Sequence, residues 1–269
     1  MTPRDVGAVF DAAGEEFAVW SPRLWRPLGE IAVAVGRPRP GERVLDACCG
    51  SGASALPAAR AVGAHGTVDA VDVAEKLLQQ GRLAASQEGA QHLRFVNADV
   101  TAWHGDQPYD LVQCCYGVFF FPDTDAGTRH LISLLRPGGR LVVTSWLAGG
   151  MARIVPVARE AIAAVRPDVA AEFDRPNASE RIDTEAKLRH WLADLGLGNI
   201  TVDTAVYRQP LHPDDAWSFL RGAALRGLLE RLDQGELDAV ARRFRQELHR
   251  AGMHELDASS IIAVGHSDR

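Results

Sequence analysis

The chain has 269 residues, a formal net charge of -6 and 46% apolar residues, enough for one large α/β domain with a sizeable core. A net acidic chain is a poor match for gripping nucleic-acid phosphates, although it leaves room for a local basic groove. Four cysteines in two adjacent pairs, Cys48-Cys49 and Cys114-Cys115, are too few for a disulfide scaffold; with no apolar signal core in Met1 to Glu16 and no run of membrane-spanning length, the expectation is a soluble cytoplasmic protein without nucleic-acid or membrane partners.

Met1 to Gly41 reads as mostly helical. Val9, Phe10, Phe17 and Trp20 show partial helical spacing, and a second apolar stripe runs through Leu24, Leu28, Ile31, Val33 and Val35. Ser21-Pro22 fits a helix start, with Ser21 as cap and Pro22 in the first turn. Two prolines and a glycine between Arg37 and Glu42 end the segment.

The stretch from Arg43 to Ser54 reads RVLDACCGSGAS. An apolar run short enough for one buried strand leads into two glycines, and a helix-compatible segment starts at Ala53. A strand that turns through glycines into a helix brings backbone N–H groups and the positive helix end against a ligand. The missing side chains of Gly50 and Gly52 allow that ligand to approach closely. This run resembles the first motif of class I S-adenosylmethionine-dependent methyltransferases, which commonly reads V-L-D-x-G-C-G-T-G. Asp46, Cys49, Gly50 and Gly52 fit. Cys48 stands where the family usually has its first glycine, and a left-handed backbone is not expected at a cysteine. The resemblance implies that Asp46, Ala47, Cys48, Gly50 and Gly52 hold S-adenosyl-L-methionine. It also implies an N-terminal helix folded over the cofactor, which makes Phe17, Trp20 and Trp25 candidates for lining a methyl-acceptor pocket. A plain packing helix at the edge of the core is the alternative.

From Val44 onward, strands are expected at 43–48, 67–72, 93–98, 109–115 and 139–147, and helices near 53–62, 74–86 and 124–136. Continuously apolar strands alternating with helices imply right-handed crossovers and a parallel sheet covered on both faces. Ligands of such sheets bind beyond the carboxyl ends of the strands. Asp72 closes the second strand at roughly the 20-residue spacing of a ribose-binding acid. Its two oxygens suit vicinal hydroxyls, and the alternative is a helix cap before Ala74. The resemblance assigns Asp72 and the adjoining Val73 to the cofactor's ribose. It assigns Asp99, after the third strand, to the adenine amino group and the N–H of Val100 to the ring; a turn aspartate is the alternative. It places Cys115 against the methionine portion of the cofactor and Tyr116 toward the acceptor. The two cysteine pairs are expected at neighbouring strand tips as inert, buried thiols rather than a metal site.

In Leu134 to Trp146, Pro137-Gly138-Gly139 reads as a helix stop and strand start, and the L-x-P-G-G-x-L signature is typical of the resembling family. Trp146 at the strand's end could meet substrate or simply pack. Residues 149–183, with a charged stretch from Glu172 to Arg181, read as a helical, partly mobile segment over the strand ends. Helix 184–195 and strand 199–208 return to the core. His212 to Gly252 reads as helical, with Trp217, Leu220, Ala224 and Leu228 as a buried stripe. The last strand, Ser259 to Gly265, lies antiparallel beside the fifth if the family pattern holds.

The resemblance covers about residues 40–148 well and the rest loosely. It implies a single α/β domain built on a doubly wound, mostly parallel, seven-stranded Rossmann-like sheet. The core would be 40–148, 184–210 and 256–266, with helical caps from 1–39, 149–183 and 211–255. The activity implied is in-line transfer of a methyl group to O, N or C of a small, partly apolar acceptor, as in the bacterial group that includes quinone and secondary-metabolite enzymes. No metal is expected: Asp123 and Asp125 follow the fourth strand, but the fifth ends Ser145-Trp146-Leu147. No base is assigned, although His212 and Tyr116 could each reach a pocket. The lack of an N-P-P-Y run argues against base-amino methylation of DNA. Two rivals stand. Gly50 to Ala55 also fits the G-x-G-x-x-A turn of a nicotinamide-dependent oxidoreductase, and the fold could bind the cofactor without transferring from it.

Overall fold

A computed structural model describes residues 3–151, 153–174 and 178–267. The readings made for Met1, Thr2, Ala152, Arg175 to Asn177, Asp268 and Arg269 lie outside the described residues.

Among the described residues, nine strands follow in chain order: β1 (Arg43–Ala47), β2 (Thr67–Asp72), β3 (Leu93–Asn97), β4 (Tyr109–Cys115), β5 (Leu135–Trp146), β6 (Leu197–Ala205), β7 (Arg208–Pro210), β8 (Glu255–Asp257) and β9 (Ser260–Ser267). Seven of them form one sheet in the order β3-β2-β1-β4-β5-β9-β6. The first five pair in parallel, and β9 runs antiparallel to both β5 and β6. Strand order reverses between β1 and β4, so a crevice opens at the tips of these two strands.

The strands are apolar throughout because both faces are covered. Leu45, Val112, Leu141 and Ile261 face the helices Thr124–Ser133 and Glu185–Asp194. Val44, Leu111, Val142 and Ile262 face Arg26–Gly36, Ala55–Val62 and Glu75–Glu88. Helix Arg26–Gly36 comes so close at Gly29 that a Cβ there would sit 2.3 Å from the Ala53 carbonyl oxygen.

A separate apolar cluster builds the cap. Trp20, Leu24 and Leu28 pack with residues of helices Ile154–Ala163, Pro213–Arg221 and Gln234–Arg250. The cap's small ribbon, β7 with β8, lies outside the main sheet.

Four expectations change. Ser21 caps no helix: the chain runs helically through a wider π turn at Ser21–Trp25, in which Pro22 sits. The Pro137-Gly138-Gly139 run does not precede the fifth strand. It forms an irregularity inside β5, where Leu135 pairs with Tyr109 and Arg140 with Leu111. The expected strand 199–208 ends at Ala205, and Arg208 belongs to β7. The stripe through Trp217 and Leu220 breaks after Arg221; Ala224 is exposed and Leu229, not Leu228, is buried.

Candidate functional site

The turn after β1 is built from the inside. Asp46 is fully buried, and the hydroxyl of Ser54 donates to both its oxygens at 3.0 and 2.8 Å. That pair ties the strand end to the residue just before helix Ala55–Val62. Burial pushes the Asp46 carboxyl up to about 7. Cys48, Gly50 and Gly52 all have positive φ, at 58°, 52° and 85°. Cys48 therefore takes the left-handed conformation that a cysteine was expected to avoid. Tertiary contacts hold it there: the Cys49 N–H donates to Val71 O, and Cys48 packs beside Cys114 against Gly117, where a Cβ would come within 2.9 Å of both sulfur atoms. The turn thus has the left-handed backbone usually supplied by glycine, in a residue for which it costs about 1–2 kcal/mol.

Asp72 reaches back from the tip of β2. One of its oxygens accepts the Gly50 N–H and the other the Ala74 N–H, both at 2.8 Å. Burial raises its pKa, and the backbone N–H groups pull it back down. The carboxylate so fixes the glycine turn in place while keeping free lone pairs toward the crevice. Asp99 follows β3. Its Oδ1 accepts from the Thr101 N–H and hydroxyl at 2.9 and 2.7 Å, which leaves the other oxygen without these partners. Asp99 thus caps the short turn Val100–Ala102, while Ala74, not Asp72, is the cap residue of helix Glu75–Glu88.

Asp72 and Asp99 line a single cavity of about 350 Å³ at the strand tips, together with Cys48, Gly50, Val73, Val100 and Cys115. The far wall is aromatic. Phe17 stacks on Trp25 with ring centres 5.1 Å apart, Tyr116 stacks on Trp146 at 4.3 Å, and Phe10 meets Phe120 edge-on at 5.6 Å. Ile154, Phe219 and Leu225 close this wall from the cap.

The structure separates the sequence candidates into two sets. Cys48, Gly50, Asp72, Val73, Asp99, Val100, Cys115, Phe17, Tyr116 and Trp146 meet on the cavity. Asp46, Ala47, Gly52 and Trp20 do not line it. Asp46 and Ala47 are buried beneath the turn, and Gly52 faces the ring of Phe95, 2.8 Å from where its Cβ would be. Trp20 is 1% exposed, donates its indole N–H to Ser218 and packs on Phe219 inside the cap. Trp25, also a sequence candidate, lines the cavity with the first set. His212 is exposed at the start of helix Pro213–Arg221 and is away from the cavity lining. Asp123 caps helix Thr124–Ser133, and Asp125 accepts from Trp191 and Arg181. Sequence reasoning did not name Leu77 or Thr101 as lining residues, and it named no individual phenylalanine of the Phe119-Phe120-Phe121 run that follows β4. Phe219 and Leu225 come from more than a hundred residues downstream and carry no local mark.

A switch-point crevice with an acid at the tips of β2 and β3 and a glycine turn after β1 is the arrangement of the Rossmann-like methyltransferase fold. Among solved structures the chain is similar to a [4+2]-cyclase, SpnF (TM-score 0.61, 16% identity, covering 99% of this chain and 97% of that one). It is also similar to the YcgJ protein of Bacillus subtilis (TM-score 0.58, 13% identity, covering 90% and 99%). The model of the ubiE/COQ5 methyltransferase family matches residues 6–153, more than half of the chain. The protein belongs to that family, within the class I S-adenosylmethionine-dependent methyltransferases. Its curated relatives include the aklanonic acid methyltransferase DauC of Streptomyces sp. (strain C5), 32% identical over 53% of this chain and 65% of that one. The nocamycin O-methyltransferase of Saccharothrix syringae is 31% identical over 62% of this chain and 61% of that one. A demethylmenaquinone methyltransferase of Clavibacter sepedonicus is 34% identical over 52% and 54%. The match thus spans less than two thirds of each relative. The family match supports methyl transfer over the oxidoreductase reading of the Gly50 to Ala55 turn.

Proposed function

We propose that the protein binds S-adenosyl-L-methionine at the strand tips and transfers its methyl group to a small, largely apolar organic acceptor. The observation that carries this is the shared cavity: two acids at neighbouring strand tips, the glycine turn after β1 beside them, and an aromatic chamber opening directly beyond. Asp72 would hold the ribose hydroxyls. The free oxygen of Asp99 and the N–H of Val100 would meet the adenine. The turn at Cys48 to Gly50 and Cys115 would face the methionine portion.

The cofactor supplies an activated methyl group on a sulfonium. The protein's share is to align the acceptor with that methyl and to exclude water. The stacked pairs Phe17–Trp25 and Tyr116–Trp146 supply flat, rigid walls for that purpose. Relatives named as methyltransferases of aklanonic acid and of demethylmenaquinone support a small-molecule acceptor. Four free thiols fit a reducing, cytoplasmic setting, and among the described residues no helix is long and apolar enough to cross a membrane.

The test is a titration with S-adenosylmethionine followed by incubation of the methyl-labelled cofactor with candidate acceptors. Saturable binding and label in an acceptor support the proposal. Binding with no transfer to any acceptor would favour a cofactor-holding role without transfer, and tight nicotinamide binding alone would overturn the assignment.

A further inference from the structure

Trp25 owes its place in the cavity to the turn that carries it. On an unbroken α-helix, position i+7 lies about 20° round from position i, and position i+8 about 80°. Trp25 is i+8 from Phe17, yet the two rings stack 5.1 Å apart with their planes 10° from parallel. The π turn at Ser21–Trp25, closed by the Arg26 N–H donating to Ser21 O, takes up one residue. Trp25 therefore arrives where an α-helix would put i+7. Its indole N–H has no hydrogen-bond partner among the described residues, so helix phase and stacking set the ring.

Two prolines bracket the turn, Pro22 and Pro27. In a regular helix the N–H of residue 27 would donate to the Arg23 carbonyl, and proline has none. The hydroxyl of Tyr207 donates there instead, at 2.7 Å. The Arg23 side chain is held as well: its guanidinium donates to Asp215 at 2.9 Å and lies 3.9 Å from the centre of the Trp20 ring. Tyr207 sits in the link between β6 and β7, outside the cavity lining. Its carbonyl accepts the Ala258 N–H at 2.8 Å, and its own N–H donates to Ser259 Oγ at 3.3 Å. The same short segment carries the opposite wall. The Tyr116 hydroxyl donates to Ser260 Oγ at 2.7 Å, and Ser260 pairs with Trp146 between β9 and β5. Ala258 to Ser260 thus fixes both stacked pairs, Tyr116–Trp146 directly and Phe17–Trp25 through Tyr207.

Resting on the methyl-transfer reading above, we propose that Tyr207 is a positioning residue for the acceptor: its hydroxyl locks the π turn in the phase that puts Trp25 over Phe17, and so sets the placement of one aromatic wall against the other. Without that hydroxyl the Arg23 carbonyl has neither the donor a regular helix would supply nor this one. The turn then re-phases, and Trp25 swings off Phe17 by up to one residue's rotation, about 100°. The cofactor half, built on the tips of β1, β2 and β3, does not pass through Tyr207.

The test uses the whole protein labelled with 5-fluorotryptophan, with the Trp25 resonance assigned from Trp25→Phe. In Tyr207→Phe the fluorine resonance of Trp25 should move, while those of Trp103 and Trp191, which lie outside the cavity lining, stay at the parent positions and report an intact fold. Calorimetry then gives the affinity for S-adenosylhomocysteine and, in the saturated complex, for 2-naphthol as a flat apolar probe. Tyr207→Phe is expected to bind S-adenosylhomocysteine within about twofold of the parent and 2-naphthol about fivefold more weakly, and in a Trp25→Leu background it should cost no further probe affinity. A stationary Trp25 resonance, movement of Trp103 and Trp191 along with it, or a parallel loss of S-adenosylhomocysteine affinity overturns the inference alone. So does an unchanged probe affinity, an equal loss in the Trp25→Leu background, or a saturated parent complex that binds no 2-naphthol. A parent that binds no S-adenosylhomocysteine overturns the cofactor reading, and this inference with it.

Discussion

Asp72→Ala tests the site where fold and cofactor meet. The side chain accepts two backbone N–H groups at 2.8 Å, one from the glycine turn and one from the start of the next helix. Hydrogen bonds to a charged partner contribute roughly 1.5–3 kcal/mol each. Alanine removes both and leaves the Gly50 N–H without its acceptor. It also removes both oxygens that the proposed function assigns to the ribose. Relief of the burial that raises the Asp72 pKa offsets part of the folding cost, whereas nothing offsets the lost ribose contacts. The expected weakening of cofactor binding is on the order of 2 kcal/mol or more, about thirtyfold in Kd. Asp72→Asn keeps one acceptor oxygen and should fall between parent and alanine variant. Calorimetric titration with S-adenosylmethionine reads the affinity, and a thermal melt confirms that each variant is folded. A folded alanine variant with the parent's titration curve would refute the assignment of Asp72 to the cofactor.

Asp46 should make stability pH-dependent. Its folded pKa, about 7, lies above the ordinary 3.8, so the native state holds the extra proton between those values and stability falls as pH rises through that window. Asp46→Asn cannot titrate, and the stability of the parent relative to this variant should drop by up to roughly 4 kcal/mol from low to neutral pH; urea melts showing a constant difference would sink this. Gly81→Ala should destabilise despite the better helix former, because its Cβ would sit 2.4 Å from Phe95, whose ring also fills the space under Gly52. A loss of about 1–3 kcal/mol with weakened cofactor binding is expected, and a raised melting temperature would contradict it. Tyr109→Phe takes the 2.7 Å hydroxyl donor from Asp69, which keeps Arg43 and Arg94, and strands the Trp103 indole N–H, which donates to that hydroxyl at 3.0 Å. Stability should fall by about 1–3 kcal/mol with cofactor affinity unchanged, since Tyr109 is not part of the cavity lining; a parallel loss of affinity would show that the two ends of β4 are coupled.

The parts of this protein legible in its residues are those fixed by neighbours along the chain. Short apolar runs alternating with helical spacing specified β1 to β4 to within a residue or two, because a doubly covered parallel strand must be apolar on both faces. Asp72 was readable because strand end and glycine turn lie at a set spacing. Other features were settled by groups far away in sequence. Cys48 is left-handed because Val71, Cys114 and Gly117 hold the turn from other strands. That Trp25 lines the cavity and Trp20 does not follows from the π turn at Ser21–Trp25, which re-phases the helix, and from Ser218 and Phe219, which claim Trp20 for the cap. The antiparallel pairing of β7 with β8 joins segments over forty residues apart. Backbone preference and strand periodicity act over a few residues and are written locally. Which face of a helix is buried, and which strained turn is tolerated, depends on the apolar area and hydrogen bonds that distant segments bring, and these exist only once the chain has closed on itself.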